Sequence, residues 1–151
     1  MARLTGPYIG FTGDSTRRTT TQEFPLGTRA IAENGKEYTY VKAGAAIAAK
    51  EAVNFQLSAL GFDDVRKSAA AVDKFVLGLA DTAFSSGDYG WVLTRGVGVT
   101  LLGSGVAAGD LLSTSGAAAG TLIKCANTAV GNRPLVCLVA ESSGEGTVYF
   151  G

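Results

Sequence analysis

The apolar residues of this chain fall in short alternating runs rather than on a helical stripe. In "FPLGTRAIAENGKEYTYVKAG" (24–44), two such runs flank Glu33-Asn34-Gly35-Lys36. Asn-Gly between alternating apolar residues predicts a hairpin with a type I′ turn, because both residues tolerate positive φ. Past the turn, the period of two puts Tyr38, Tyr40 and Lys42 on one face and Thr39 and Val41 on the other. The next stretch, "AAIAAKEAVNFQLSAL" (45–60), is mixed. Its alanines suit a helix, yet Gly44 and Gly61 bracket it and its second half alternates, so a short turn at 43–46 followed by strands is expected. "GFDDVRKSAAAVDK" (61–74) reads as a polar loop or a short helix. Beyond it, "KFVLGLADTAF", "YGWVLTRGVGVTLL", "DLLSTSG", "GTLIKCA", "PLVCLVAES" and "GTVYFG" are strand candidates separated by turn residues. A spacing of about 8–12 residues is that of an all-β fold. The expected fold is a small β-barrel or β-sandwich of short antiparallel strands over residues 24–151. Residues 1–23 form an extended N-terminal arm without hydrophobic periodicity, either mobile or ordered against a neighbour.

Two local patterns bear on chemistry. Gly103-Ser104-Gly105-Val106-Ala107-Ala108 fits the G-x-G-x-x-G/A template of a dinucleotide-binding turn. That motif needs a helix after it and an acidic residue about 20 residues on. Here Gly109, Gly116 and Gly120 follow, each costing a helix about 1 kcal/mol, and no acid stands near position 128. The glycines therefore read as turns between strands. A second pattern is an internal echo: "VKAGAAIAAKEAV" (41–53) resembles "VAAGDLLSTSGAA" (106–118), aligning Gly44 with Gly109 and suggesting two related hairpins.

Composition narrows the function. The chain has 151 residues, 13 basic and 13 acidic, and only 17% are charged, against roughly 25% in a typical domain. Low, balanced charge leans toward a surface covered by copies of itself or by a partner, and argues against nucleic acid, which selects a basic face. No apolar run is long enough to cross a membrane as a helix. Met1–Thr5 lacks the apolar stretch of a signal peptide, so use in a cytosol, or in something assembled there, is expected. The count of zero histidines removes Ser-His and Cys-His nucleophile pairs and HExxH zinc sites. Asp63, Asp64, Asp73 and Asp81 are the densest acids, and read as loop carboxylates paired with Arg66, Lys67 and Lys74. Lys50 and Lys124 lie near apolar runs, with nothing marking either as reactive. Cys125 and Cys137 both sit in apolar runs and read as buried thiols. Trp91 reads as core or interface packing. No enzyme, metal or cofactor is expected.

With the strand pattern in place, "VLGLADTAFSSGDYGWVLTRGVGVTLL" resembles structural proteins of tailed bacteriophages. "VAAGDLL", "AGTL" and "PLVCLVAESSGEGTVYFG" continue the resemblance, and the opening "FPLGTRAIAENGKEYTYVKAG" is similar to the first hairpin of phage capsid decoration (cement) proteins. The likeness covers roughly residues 24–151 and rests on the order of short motifs. It implies a small all-β protein on the outside of an icosahedral head, where it binds the major capsid protein and stabilises contacts between its subunits. It also implies a homo-oligomer, a trimer more readily than a dimer, and no catalytic residues. The arm departs from the pattern; Tyr8, Phe11 and Phe24 are its expected apolar anchors on the shell, and Arg17 and Arg18 its contacts to acidic capsid residues. The competing readings are another virion part (tail tube, head fibre or adaptor), a carbohydrate-binding β module using Tyr38, Tyr40 and Tyr89, and an enzyme using the Asp63–Asp81 region.

Overall fold

The computed structural model of the chain describes residues 3–5, 12–58, 61–67, 76–114, 118–125 and 135–151. Among these residues every regular element is a strand: β1 (Arg3–Thr5), β2 (Thr12–Asp14), β3 (Arg18–Thr19), β4 (Arg29–Ala32), β5 (Glu37–Lys42), β6 (Ala52–Ser58), β7 (Gly61–Lys67), β8 (Gly78–Leu79), β9 (Tyr89–Leu101), β10 (Leu112–Thr114), β11 (Leu122–Lys124), β12 (Leu135–Ser142) and β13 (Glu145–Phe150). The main sheet runs β2-β1-β4-β5-β9-β8-β6-β7, with β3 and β13 also paired to β9 and β12 paired to β13. Strands β10 and β11 form a separate ribbon. The fold is all-β, as the alternation predicted.

The β4–β5 hairpin forms where the sequence placed it, with a different turn. Ala32 O accepts from Gly35 N at 2.9 Å, and Ala32 N donates to Lys36 O at 2.8 Å. Gly35 lies at φ +78° while Asn34 does not take positive φ. The loop is therefore Glu33-Asn34-Gly35, a type I turn closed by a left-handed glycine, and not type I′. Strand β5 is buried on both faces. Tyr38 and Tyr40 enter one core cluster with Trp91, Leu93, Leu122 and Phe150. Val41 enters a second with Ile47, Val53, Val65, Phe84 and Val92.

The segment read as a loop or helix at 61–67 is strand β7, paired antiparallel with β6. Its polar residues hid it: a register shift between Gln56 and Leu57 breaks the alternation, and β7 ends the sheet path, where only Val65 among its described side chains is fully buried. Ala43, just past β5, bridges Val65, and Gly44 N donates to Val65 O at 2.9 Å. The sheet thus curls until its last strand meets the end of β5, and the second cluster fills the curl.

The glycine-rich segments are turns, and one turn recurs. In Ser85–Asp88, Asp88 N donates to Ser85 O, Ser85 N donates to the Asp88 carboxylate at 2.7 Å, and Gly87 takes φ +89°. Ala107–Asp110 repeats this with Gly109 at φ +89° and the Asp110 carboxylate accepting from Ala107 N at 2.9 Å. Ala48–Glu51 repeats it again with Lys50 at φ +69° and Glu51 accepting from Ala48 N at 2.8 Å. The internal echo therefore belongs in another register: Lys50, not Gly44, is the counterpart of Gly109.

The turn closed by Asp110 carries a pH signature. The hydrogen bond from Lys124, at 2.7 Å, and then that from Ala107 N hold Asp110 below its ordinary value of 3.8. A carboxylate lowered in the folded state contributes stability above its unfolded pKa and loses it as pH falls through the folded one. The difference in melting temperature between the wild type and Asp110→Asn should be largest near neutrality and shrink as pH drops below 3.8. A difference that stays constant from neutral to acid pH would assign no role to this charge.

Candidate interaction surface

The described part of the N-terminal arm is docked on the rest of the chain as short strands. Strand β3 pairs with β9 through Arg18↔Gly90 and Thr19↔Tyr89. The Arg18 guanidinium lies 3.8 Å from the centroid of the Phe84 ring and donates to the carbonyls of Ser15, Arg17 and Thr82. Burial pushes its pKa down to about 10, against the opposing pull of Asp81, Asp88 and Asp14. Gly90 makes room for it, since a Cβ there would stand 2.7 Å from Arg18 Cδ. Arg18, expected to meet acidic capsid residues, clasps its own chain through these contacts.

Phe24, expected as a shell anchor, packs edge-on against Tyr40 with centroids 5.3 Å apart, and against Trp91 at 5.6 Å. Glu23 N donates to the Tyr40 hydroxyl at 3.0 Å. Arg17 is exposed and ion-paired with Glu23. Tyr8 and Phe11 lie outside the described residues.

The other candidates resolve in the same way. Tyr38 and Tyr40 are each 1% exposed, so neither offers a platform for a sugar ring. The Tyr38 hydroxyl donates to Asp81 at 2.9 Å, and burial raises its pKa well above the usual phenol range. Asp64 faces Lys42 at 3.9 Å from within β7, not from a loop, and Lys67 reaches Glu51. Asp73 and Lys74 lie outside the described residues. Neither cysteine is in a disulfide. Cys137 is buried and its thiol is pushed up by desolvation, while Cys125 is only partly buried.

What the sequence reading missed is a surface. The register Val97↔Tyr149, Val99↔Thr147 between β9 and β13, continued by Tyr149↔Val136 and Thr147↔Val139 onto β12, builds two cross-strand rows on one face. The rows are Val97–Tyr149–Val136 and Val99–Thr147–Val139. A bulge between Cys137 and Val139 brings Leu138 out beside them. Val99 is 44% exposed and Val139 59%. The inward positions of this half of β9 are Gly98 and Thr100, both buried. Half-buried antiparallel strands normally turn apolar residues in and polar ones out. Here β9 does the reverse, with glycine and threonine inside and valines in solvent. Gly98 suits the inner side, because a Cβ there would press on Leu93 Cδ2 at 2.6 Å and Leu79 Cδ1 at 2.9 Å and both leucine ends would have to shift. Contiguous exposed apolar patches of this kind mark interaction sites.

No protein-family model matches the sequence, and no curated protein matches it. Among solved structures, the chain is similar to the head fiber gp8.5 N base in bacteriophage phi29, with a TM-score of 0.56 and 16% sequence identity. The likeness covers 76% of this chain and 92% of that one. At this identity it is a likeness of fold.

Proposed function

We propose that this chain is a structural component of a bacteriophage particle, on the exterior of the capsid, and that it serves as the base of a head fibre. The fold it shares with nearly the whole of a head-fibre base carries the reading. Its chemistry is consistent with a structural role: it has no histidine, and of the acids noted in the sequence Asp81 accepts from the Tyr38 hydroxyl and Asp64 faces Lys42. In this role it attaches to the major capsid protein and acts as a homo-oligomer, a trimer more readily than a dimer. Cementing of capsid subunits is the second reading, favoured by the order of decoration-protein motifs along residues 24–151.

Copy number separates the two. Quantitative mass spectrometry of purified particles should find this chain well below the major capsid protein if it is a fibre base. Stoichiometry comparable to the shell would favour cement, and absence from the particle would overturn both. Deleting residues 2–20 is a poor test of shell contact, because it also strips β3 and Arg18 from β9. Arg17→Glu, at an exposed site, is the cleaner probe. It should weaken binding to heads without altering the melting temperature by more than a few degrees, and unchanged binding would remove Arg17 from the contact.

A further inference from the structure

We propose that the outward valine–tyrosine face of β9, β13 and β12 is covered by the same face of a second copy of this chain. The inference rests on the homo-oligomer part of the reading above and selects its dimer over its trimer, since like faces packed on each other close as a two-fold pair. Its ground is the inverted pattern of β9, which puts Val97 and Val99 outside over buried Gly98 and Thr100. A strand that spends its valines on solvent is shaped for a layer above it.

Charge selects the occupant. The two rows hold no ionisable group other than the Tyr149 hydroxyl. Of the charges at their ends, Arg95 pairs with Glu37 at 3.0 Å and Lys50 with Glu145 at 2.7 Å, while Glu141 accepts from the backbone Gly144 N. A face whose rows are uncharged and whose end charges are mostly paired offers little to select a strongly acidic or basic partner. An identical copy presents the same uncharged apolar rows. Area agrees: the exposed apolar side chains of the face, with Leu138 and Leu111 at its margin, present on the order of 500 Å². With a polar rim this approaches the roughly 800 Å² per partner of a standard interface.

The mode is face on face, not strand addition. The outer edge of β12 is occupied by the 106–110 segment, where Cys137 N donates to Asp110 O, Gly109 N to Cys137 O and Glu141 N to Val106 O. Sheets packed this way interdigitate at about 10 Å, and β-branched side chains suit that spacing.

The test is native mass spectrometry and light scattering of the full chain at micromolar concentration. The wild type is compared with Val99→Lys/Val139→Lys and with the near-isosteric Val99→Thr/Val139→Thr. The wild type should be oligomeric. The lysine pair should be monomeric with an unchanged far-UV circular dichroism spectrum, and the threonine pair should dissociate at least tenfold more readily. Should the lysine pair unfold, the threonine pair decides. A monomeric or trimeric wild type, or variants that stay as oligomeric as the wild type, would overturn the proposal. A monomeric wild type whose binding to purified heads is abolished by the lysine pair would assign the face to the capsid protein; that defeats self-pairing but leaves the proposed function standing. Oligomers lost in the variants, from a chain absent in purified particles, would leave self-pairing standing and defeat the function.

Discussion

Gly78→Ala is expected to destabilise this protein by about 3 kcal/mol, at the upper end of the range for overpacking. For a domain of this size that lowers the melting temperature by roughly 6–12 °C. The added Cβ would stand 2.1 Å from the carbonyl oxygen of Leu93 and 2.9 Å from its carbonyl carbon. Both atoms belong to the backbone, so no rotamer change relieves the clash. Strand β8 is the short link between β6 and β9, through Ala52↔Leu79, Val53↔Gly78 and Leu79↔Leu93. Moving it disturbs both ladders and displaces Leu79, which is wholly buried. Gly98→Ala is the control, since its Cβ would meet only the ends of the Leu93 and Leu79 side chains, which can swing; about 1 kcal/mol is expected there. Thermal unfolding of the two variants checks the ordering. A Gly98→Ala loss as large as that of Gly78→Ala would contradict the placement of β8.

Tyr40→Ala should cost about 4 kcal/mol, the range for deleting a buried aromatic ring. The ring sits at the centre of an aromatic group, 5.3 Å from Phe24, 5.1 Å from Trp91 and 6.4 Å from Tyr89. Edge-on contacts of this kind add to the area buried. Tyr40→Phe separates packing from the hydroxyl. It keeps the ring and removes only the acceptor for Glu23 N, so a loss of about 1 kcal/mol is expected. Because that bond ties down the segment after β3, Tyr40→Phe should also speed proteolysis around residues 17–23 more than its small stability loss explains. Denaturant titration gives the two energies, and limited proteolysis with the fragments identified by mass checks the second effect. Equal losses for Ala and Phe would mean that the ring does not pack as described.

Much of the fold was legible along the chain because its causes are local. Alternation around Asn34-Gly35 marks a hairpin whatever surrounds it, and Gly105 and Gly109 adopt the positive φ that only glycine takes without penalty. Trp91, read as core or interface packing, lies in the core. The misses have a common physical form. Strand β7 looked polar because it ends the sheet path and, among its described side chains, buries only Val65, and the register shift at Asp63 in its pairing with β6 broke the period. Arg18 looked like a free cation in a polar arm, yet its site is made by Phe84 and Gly90, more than sixty residues away.

What the sequence determined by itself is that short strands form, where the chain turns between them, and which chemistry a chain without histidine lacks. Only the tertiary structure decided which side of each strand is the inside. A period of two announces two faces, but the choice between them is made by what packs there. At Val97, Gly98 and Val99 it went against hydrophobicity, because the Leu93 and Leu79 side chains already fill the inner side beneath Gly98.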